Sequence, residues 1–408
     1  MSENTKYNIL FVVHGYKPAY RIGGPIHSVS ALAECLVSKG HKVIVFTTDS
    51  NQDEKLNVIK NTPVIVDGVE VWYFETQDIF QKKIFKIFPY FSKSIGYLYS
   101  PLMRDRLNEI MPKIDIVHTH LPFIYPTYIT SKIAKIYNKP LFYHQRGVLS
   151  ERALSFRSVK KNIYLFLIEK TIIRNASCLI ALTNYELEGF KKYSKKNQKI
   201  VVVPNGINTE KFYSDSQLYN NVKIDASKIV ILFLGRLHPS KGADILLLAF
   251  IKALRQNDKI RLIMAGPDEY GLVQEFRQQI ERENLQEYIY FPGLILGDEK
   301  KRLLARADLF VLPSLSEGFS MAILEALASS TPVLISPECN FNEVESVNAG
   351  VVVSNNIEQI SSSIIELTND KDRLKLMGNN GKKFVNRLYN WETISDKLIA
   401  LYNTQVKK

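Results

Sequence analysis

The sequence predicts an α/β fold with two doubly wound parallel-sheet domains, and three observations lead to this prediction. Short apolar runs of four to seven residues, rich in Ile and Val, recur along the chain, as expected for strands buried on both faces of a parallel sheet. Amphipathic segments with helical spacing alternate with these runs. The 408 residues contain two such series, and a chain of this length usually forms two domains.

The first half of the chain contains five predicted strands, each of them an apolar run followed by polar or Gly-containing residues. They are Asn8–His14, Lys42–Thr48, Asp115–His120, Pro140–His144 and Cys178–Thr183. Apolar residues at helical spacing over Ile26–Ser38 predict a helix between the first two strands. A strand, a helix and a second strand in this order are typical of a parallel sheet.

The second half repeats this pattern with six predicted strands. They are Ile229–Leu234, Arg261–Ala265, Tyr288–Phe291, Asp308–Leu312, Pro332–Ser336 and Val351–Val353. The predicted helices between them are Ala243–Arg255, Leu272–Glu283, Asp298–Arg306 and Met321–Ala328. Two successive series of this kind predict two Rossmann-like domains that face each other across a cleft.

A polar stretch over residues 213–227 divides the two series. It lacks strong periodicity and precedes a new buried strand, so we predict domains over residues 1–208 and 209–390. The final segment, residues 391–405, has apolar residues at helical spacing and is expected to pack back on the first domain.

The composition excludes several classes of protein. With 46% apolar and 23% charged residues, the chain is neither disordered nor collagen-like, and its three widely spaced cysteines do not form a disulfide scaffold. The N-terminus lacks the pattern of a signal peptide, and no apolar run reaches the ~18 residues that span a bilayer. We therefore expect a cytoplasmic protein, either free or peripheral on the inner face of the cytoplasmic membrane.

The net charge of +12 is distributed unevenly, which indicates an anionic partner for the first half. Residues 1–200 carry a net charge of +13, whereas residues 201–408 carry −1. Two basic stretches rich in aromatic residues, Phe80–Arg106 and Arg152–Lys199, contain much of the excess. They suit an anionic membrane surface, and no nucleic-acid-binding module accompanies them. The alternative is a solubilising face without a partner.

A loop and helix after the predicted strand Asp308–Leu312 carry two glutamates. Glu317 lies in the Gly-containing loop, and Glu325 lies two turns inside a helix for which Ser320 is the predicted N-cap. Ligands of open α/β sheets bind at the carboxyl ends of the strands, where helix N-termini attract anions. A phosphate at the helix N-terminus, with carboxylates on sugar hydroxyls, makes a coherent nucleotide-sugar site.

A second loop, after the strand Ile229–Leu234, carries two cations. Arg236 and Lys241 lie at the end of this strand and at the start of the next helix, where they can converge on one diphosphate. The alternative is that both are solvated surface residues. We favour the binding role because the loop with Glu317 lies at the same edge of the predicted sheet.

In the first half, a glycine pair follows the first strand. Gly23 and Gly24 open a helix and allow a ligand close approach to the backbone, with Tyr16 nearby in sequence. The segment is neither Gly-x-Gly-x-x-Gly nor a phosphate-binding loop with Gly-Lys-Ser/Thr. Nicotinamide-dependent chemistry and phosphate-loop hydrolysis are therefore disfavoured.

Three histidines, His14, His120 and His144, fall at the carboxyl ends of predicted strands. A lone histidine is usually structural, but three at one sheet edge indicate a functional site, with His120 the strongest candidate. We expect His118, two residues earlier, to face the other way and to be structural.

Taken together, these residues resemble the family 4 retaining glycosyltransferases of the GT-B fold over essentially the whole chain. The motifs that carry the resemblance are Gly23-Gly24, Gly40-His-Lys-Val43, His120, Pro204-Asn-Gly-Ile-Asn208, Gly235-Arg236 with Lys241-Gly242, Ala265-Gly266-Pro267, and the glutamate pair Glu317 and Glu325. One departure is Tyr143-His-Gln-Arg146-Gly147, where many relatives have a shorter His-Gly or Pro-Arg-Gly signature, and it leaves the roles of His144 and Arg146 open.

The resemblance implies a role for each matching residue. Arg236 and Lys241 would bind the donor diphosphate, Glu325 the ribose and Glu317 the donor sugar. The backbone of Gly318, Phe319 and Ser320 would meet the sugar or phosphate, Gly266 would line the donor site, and Gly24 would approach the phosphate from the other domain. His120 would lie near the reacting sugar carbon, and His14, Tyr16, His144 and Arg146 are candidate acceptor or sugar contacts.

The function that the resemblance implies is transfer, with retention, of a hexose-type sugar from a UDP- or GDP-linked donor. The acceptor would be a glycan or a lipid-linked molecule of cell-surface polysaccharide biosynthesis: lipopolysaccharide, capsule or exopolysaccharide. Family members need no metal, and no convincing Asp-x-Asp motif occurs here. The alternatives are a sugar-nucleotide epimerase, a soluble sucrose-type synthase, and a catalytically silent scaffold of the same fold.

Overall fold

The chain folds into two units, and the computed structural model describes residues 5–52, 54–77, 98–149, 162–209, 225 and 227–406. The first unit comprises residues 1–206 together with 391–408, and the second comprises residues 207–390. The chain thus leaves the first unit once and returns to it at the start of its last helix.

The first unit is built on one large sheet, in which the structure describes eight strands. They are β1 (Asn8–Val12), β2 (Lys42–Thr48), β5 (Pro63–Val66), β6 (Val69–Phe74), β7 (Ile116–His120), β8 (Leu141–His144), β9 (Cys178–Ala181) and β10 (Ile200–Val202), and a separate small hairpin pairs β3 (Ser50–Asn51) with β4 (Glu54–Lys55). The order in the sheet is β10-β9-β8-β7-β1-β2-β6-β5, and its pairs are parallel except β5 with β6. The predicted doubly wound parallel sheet is confirmed for this half.

Helices cover the sheet of the first unit. They are α1 (Gly24–Ser38), α2 (Pro101–Ile110), α3 (Tyr125–Ile136), α4 (Lys170–Asn175), α5 (Asn184–Lys191) and, at the end of the chain, α13 (Trp391–Asn403), with a π-helical turn over Leu165–Glu169 and short 3-10 turns over Tyr20–Ile22 and Met111–Lys113. Helix α13 packs on α1, and its apolar residues Ile394, Leu398 and Tyr402 are buried in the same core as those of β1. The residues that end the chain therefore belong to the unit that begins it.

The second unit has a parallel sheet of six strands among the described residues. They are β11 (Ile229–Leu234), β12 (Ile260–Ala265), β13 (Ile289–Gly293), β14 (Leu309–Leu312), β15 (Val333–Ile335) and β16 (Gly350–Val352), in the order β13-β12-β11-β14-β15-β16. Strand β11 is fully buried between β12 and β14. The loops that follow these three strands are therefore neighbours at the carboxyl edge of the sheet.

The helices of the second unit connect these strands. They are α6 (Ala243–Leu254), α7 (Leu272–Arg282), α8 (Gly297–Arg306), α9 (Met321–Ala328), α10 (Glu343–Ser346), α11 (Ile357–Thr368) and α12 (Lys371–Leu388), with 3-10 turns over Pro239–Lys241 and Pro337–Cys339. Their apolar faces and the two faces of the sheet form one continuous core.

Five strands of the first unit were not predicted from the sequence: β5, β6 and β10 of the large sheet, and β3 and β4 of the small hairpin. Strands β5 and β6 form a hairpin around Asp67 and Gly68, which both have positive φ, and Asp-Gly is a frequent hairpin turn, so a signal for these two strands was present. Strand β10 has only three half-buried residues at the sheet edge. Such a short apolar run is ambiguous without its neighbour.

None of the helices that the structure describes is both long and apolar enough to cross a membrane.

Candidate functional site in the second unit and the histidine cluster in the first

In the second unit, Lys241 and Glu317 form an ion pair. Lys241 ends the 3-10 turn that follows β11, and Glu317 lies in the loop that follows β14. The lysine side chain is 19% exposed and the glutamate side chain 8%. The structure therefore brings together, from adjacent strands, the two residues that the family resemblance assigns to the diphosphate and to the donor sugar.

Direct hydrogen bonds hold these two loops together. The backbone N–H of Leu315 donates to the carbonyl oxygen of Ser240 at 2.8 Å, and the Ser314 hydroxyl donates to the same oxygen at 3.0 Å. Gly242, which follows Lys241, has a φ of +67°, and a Cβ atom there would overlap the carbonyl oxygen of Pro313. A glycine is therefore required for the close approach that places Lys241 beside Glu317.

The loop that carries Glu317 is also held from its other side. The Glu317 N–H donates to the carbonyl oxygen of Glu338 at 3.0 Å, and the Asn340 side chain donates to the Glu317 carbonyl at 2.8 Å. Both partners belong to the segment after β15. Neither residue was a candidate from the sequence, because a polar residue in a loop resembles any other turn residue.

Helix α9 begins directly after this loop, with Ser320 at the predicted N-cap position. The Ser320 side chain makes no capping hydrogen bond, so the first N–H groups of the helix are not occupied by it. The half-buried Phe319 ring packs near Phe341 and Tyr389, at centroid distances of 5.9 and 6.1 Å. Phe319 therefore anchors the loop through its side chain, and its backbone and that of Gly318 remain the groups proposed for ligand contact.

Glu325, on α9, pairs with a residue that the sequence analysis missed. Its Oε1 atom lies 2.7 Å from Nζ of Lys300, and the two side chains are 16% and 26% exposed respectively. Lys300 lies in the charged run that begins α8, and such runs are usually solvated helix faces. The one signal in the sequence that points to Lys300 is that its helix, α8, follows β13 at the same edge of the sheet.

Arg236 and Gly266 lie in the loops after β11 and β12. The Arg236 guanidinium donates to Glu269 at 3.1 Å, and its side chain is 55% exposed. The Gly266 N–H donates to the carbonyl oxygen of Gly293 at 2.8 Å, which connects the ends of β12 and β13. Arg236 is thus a solvent-accessible cation whose partner is also exposed.

In the first unit, the predicted residues after β1 lie near the start of α1. Gly23 is the N-cap residue of α1 and Gly24 is its first residue. The Tyr16 side chain is fully buried, and burial raises its pKa far above the usual range. Strand β1 ends at Val12, so His14 lies two residues beyond the strand rather than at its last position.

The rings of His118, His120 and His144 form a cluster at the ends of β7 and β8. His118 and His120 stack with centroids 4.3 Å apart, and His144 lies 5.8 and 5.6 Å from them. The prediction that His118 faces away from His120 is wrong: side chains alternate along a strand, so residues two apart share a face. All three rings are buried, as is the neighbouring Arg146.

The histidines at this edge are uncharged at neutral pH. Burial, together with the nearby Arg146 charge, lowers the pKa of His14 to about 4. Burial lowers the pKa values of His118, His120 and His144 well below the usual range, and the charge of Arg146 acts in the same direction. His120 is therefore a neutral ring rather than an imidazolium.

One ring nitrogen each of His118, His120 and His144 lies within 4.8 Å of the other two, which is close enough for all three to bind one metal ion. Arg146, however, donates from Nε to Nδ1 of His120 at 3.2 Å, and it is a cation among the three rings. A guanidinium in contact with one of the rings raises the cost of placing a divalent ion there, because the two positive charges repel each other.

The basic stretches are described only in part. Residues 78–97 and 150–161 lie outside the described residues. They include most of the cations and aromatic rings of the first stretch and the first four cations of the second. In the second stretch, Ile163, Phe166 and Leu167 are 54%, 70% and 66% exposed. The Lys170 ammonium lies 5.5 Å from the centroid of the Phe166 ring. Exposed apolar side chains and a cation thus share this surface.

Comparison with known proteins matches both halves of the chain to glycosyltransferase families. The profile described as "Glycosyltransferase Family 4" matches residues 22–211, and that described as "Glycosyl transferases group 1" matches residues 215–384. The chain is 25% identical over 414 residues to an uncharacterized glycosyltransferase of Methanocaldococcus jannaschii, covering 97% of each chain.

Two further proteins resemble the chain over nearly its full length. A subunit of the phosphatidylinositol N-acetylglucosaminyltransferase of Saccharomyces cerevisiae is 23% identical, over 97% of this chain and 82% of the yeast protein. The structure of Anabaena HepE in complex with UDP and glucose matches with a TM-score of 0.72 at 20% identity, covering 98% of this chain and 100% of HepE. With both halves matched and the fold shared, the chain belongs to the group 1, family 4 glycosyltransferases of the GT-B fold and is a glycosyltransferase enzyme.

Proposed function

We propose that this glycosyltransferase transfers a hexose-type sugar, with retention of configuration, from a UDP- or GDP-linked donor to a glycan or lipid-linked acceptor. Its place would be the biosynthesis of a cell-surface polysaccharide: lipopolysaccharide, capsule or exopolysaccharide. One observation carries the proposal. The two lysine–glutamate pairs, Lys241 with Glu317 and Lys300 with Glu325, join neighbouring loops and helices at the carboxyl edge of one sheet.

The donor would be held by the second unit. Arg236 and Lys241 supply positive charge for the diphosphate, and the first N–H groups of α9 add hydrogen-bond donors for the same anion. Glu317 and Glu325 supply carboxylate oxygens that accept hydrogen bonds from sugar and ribose hydroxyls. Gly266 and the backbone of Gly318–Ser320 complete the proposed donor contacts.

The reaction would proceed with the acceptor oxygen approaching from the face that the diphosphate leaves. The bond between the anomeric carbon and the phosphate oxygen breaks, a bond from the same carbon to the acceptor oxygen forms, and the proton of the acceptor hydroxyl passes to the departing diphosphate oxygen. Negative charge develops on the departing diphosphate, where Arg236 and Lys241 stabilise it. These two cations replace a metal ion in the proposal, and no cofactor is invoked.

The first unit would bind the acceptor through His120, with His14, Tyr16, His144 and Arg146 as further candidate contacts. The yeast relative is named for phosphatidylinositol, a lipid, which supports a lipid-linked acceptor. The HepE structure contains UDP and glucose, which supports a nucleotide-sugar donor. The exposed apolar and basic surface at Phe166, Leu167 and Lys170 suits an anionic membrane. We therefore place the enzyme on the inner face of the cytoplasmic membrane.

A thermal-shift screen over UDP- and GDP-sugars tests the donor assignment, because a bound donor stabilises the folded protein in proportion to RT ln(1 + [L]/Kd). One donor is expected to raise the Tm of the wild type and to have much less effect on Glu325→Gln. Glu358→Gln is the matched control, because Glu358 lies on the exposed face of α11 and pairs with Lys252. If no nucleotide sugar shifts the Tm, the proposed donor assignment fails.

Product analysis tests the reaction. Nuclear magnetic resonance of the product with a lipid-linked acceptor is expected to show the anomeric configuration of the donor. An epimerised sugar formed from donor alone would identify an epimerase, and efficient transfer to a small free sugar phosphate would identify a soluble synthase. Either result would replace the proposed reaction while leaving the donor site in place.

A further inference from the structure

Arg146 is a buried cation at the carboxyl edge of the first sheet. It lies two residues after β8, its backbone φ is 51°, and it is 9% exposed. Within the described residues its hydrogen bonds go to neutral groups rather than to a carboxylate. Because burying a charge is costly, the groups that receive these hydrogen bonds are expected to have a defined role.

Three groups accept hydrogen bonds from Arg146. The hydroxyl of Ser28, in α1, lies 2.8 Å from Nη1 of Arg146, and the side-chain oxygen of Asn205 lies 2.9 Å from the same nitrogen. Nε donates to Nδ1 of His120, at the end of β7, at 3.2 Å. The arginine thus connects the helix that begins at Gly24 with the histidine predicted to lie near the reacting carbon.

The neighbouring Gln145 holds the loop that carries Arg146. Its amide donates to the carbonyl oxygen of Glu186 at 2.9 Å and accepts from the N–H of Leu149 at 3.1 Å. Burial lowers the pKa of Arg146 to about 9, with the charge of Glu186 opposing the shift, so the guanidinium remains protonated at neutral pH. Its position and its charge are therefore both defined.

The contact with His120 determines where that ring carries its proton. A guanidinium has only donors, so Nδ1 must accept and cannot bear a hydrogen. The groups facing the ring are Phe11, His118 and His144, with Arg146 on the Nδ1 side. Because burial and these neighbours keep the ring neutral, its single proton lies on Nε2.

We propose that Arg146 is a positioning residue that holds His120 as the Nε2–H tautomer, so that the ring offers a hydrogen-bond donor to an oxygen of the substrate. The second part rests on the proposed function, which places His120 beside the sugar or acceptor. Among the described residues, Nε2 of His120 is buried and has no hydrogen-bond partner, so this donor is unsatisfied, as few buried polar groups are. A ring in this state donates through Nε2 and does not act as the base that deprotonates the acceptor hydroxyl.

Nuclear magnetic resonance of the full chain, labelled with 15N-histidine, tests the tautomer directly. The signals of His120 are identified by their loss in His120→Asn. The expected spectrum of the wild type between pH 6 and 8 shows His120 with a protonated Nε2 and a bare Nδ1. A proton on Nδ1, or a doubly protonated ring in this pH range, overturns the proposal without any variant of Arg146.

Arg146→Met tests whether the arginine is the cause, since methionine has a similar length but no donor. The expected spectrum contains a second set of His120 signals with the proton on Nδ1. Ser28→Ala is the matched control, because it removes another partner of Arg146 and leaves the donor to His120 in place. If folded Arg146→Met keeps only the Nε2–H form, Arg146 does not determine the tautomer and the proposal fails.

Kinetics separate this proposal from the proposed function. Arg146→Met is expected to lower kcat about 10- to 100-fold, because part of the population lacks the donor, with the donor KM changed by less than about twofold. A shifted tautomer with unchanged kcat would show that His120 does not donate to the substrate, while the relation between Arg146 and His120 would stand. Absence of transferase activity in the wild type would instead refute the proposed function and leave the spectra interpretable.

Discussion

The ammonium group of Lys300 lies 2.7 Å from a carboxylate oxygen of Glu325. The two residues are 25 positions apart, on the helices that follow β13 and β14. The pair holds the Oε1 oxygen of the Glu325 carboxylate. We infer that Lys300 orients Glu325 for the ribose of the proposed donor.

Lys300→Gln is expected to weaken nucleotide binding about 5- to 30-fold, which corresponds to the loss of one charge-assisted contact of about 1–2 kcal/mol. Calorimetric titration with the preferred nucleotide and with its 2′-deoxy analogue measures the effect. The loss should be smaller for the analogue, which lacks a hydroxyl for Glu325. Lys301→Gln is the control, since Lys301 pairs with the exposed Asp298 one turn away. Equal losses in both variants would contradict a specific role for Lys300.

Lys241→Ala is expected to lower kcat by a factor of ~10²–10³, because in the proposed reaction Lys241 stabilises charge that develops on the departing diphosphate. Steady-state transfer assays at saturating donor measure the change. Lys252→Ala, in the exposed part of α6, should leave kcat within a factor of two of the wild type. Transfer by Lys241→Ala at a similar rate to wild type would remove Lys241 from the catalytic machinery.

Gly242→Ala is expected to destabilise the second unit by about 3 kcal/mol or more, because the added Cβ would overlap the Pro313 carbonyl and φ is left-handed. Gly271→Ala separates the two causes, since Gly271 has a φ of +74° but open space around it. It should cost only about 1 kcal/mol. Denaturant unfolding measures the loss of stability in both variants. Equal losses would show that a Cβ at residue 242 does not overlap the Pro313 carbonyl in solution.

The stability of the first unit is expected to depend on the protonation of Glu169. This buried carboxyl ends the π-helical turn and accepts hydrogen bonds from the Phe123 N–H at 2.9 Å and the Tyr143 hydroxyl at 2.6 Å. Burial raises its pKa from 4.5 to about 7. Between these two pH values the folded protein binds more protons than the unfolded chain, so stability falls as pH rises.

Glu169→Gln cannot ionise and retains the shape of the side chain, so it removes this fall. Between pH 5 and pH 8 the free energy of unfolding of the wild type should fall by roughly 1–3 kcal/mol more than that of Glu169→Gln. Urea unfolding at the two pH values measures the difference. Glu188→Gln, at an exposed position beside Lys191, should show almost no such change. A pH-independent difference between Glu169→Gln and the wild type would place the pKa of Glu169 near that of an ordinary glutamate.

Phe166→Ser with Leu167→Ser is expected to reduce sedimentation with anionic vesicles severalfold, because both side chains are more than half exposed beside Lys170. Leu376→Ser, at a 54% exposed position of the second unit, should bind like the wild type. Wild-type protein that stays in the supernatant even at low salt would refute membrane association and leave the transferase reaction intact.

Much of the fold was predictable because its signals are local. The apolar runs that became β11 and β14, and the loops after them, follow from the buried character of parallel strands. The error over His118 came from a misapplied periodicity, since a spacing of two puts His118 and His120 on one face. Strands β5 and β6 were missed although the Asp67-Gly68 turn was visible in the sequence.

The sequence could establish which residue types lie at the ends of which strands, and thereby the family, the sheet edges and the candidates Arg236, Lys241, Glu317 and Glu325. It could not establish their partners. Lys300 meets Glu325, and Arg146 meets His120, across separations of 25 and 26 residues. Strand periodicity and turn chemistry depend on neighbours in sequence, whereas these contacts depend on how separate loops and helices pack on a shared sheet, and only the folded chain specifies that packing.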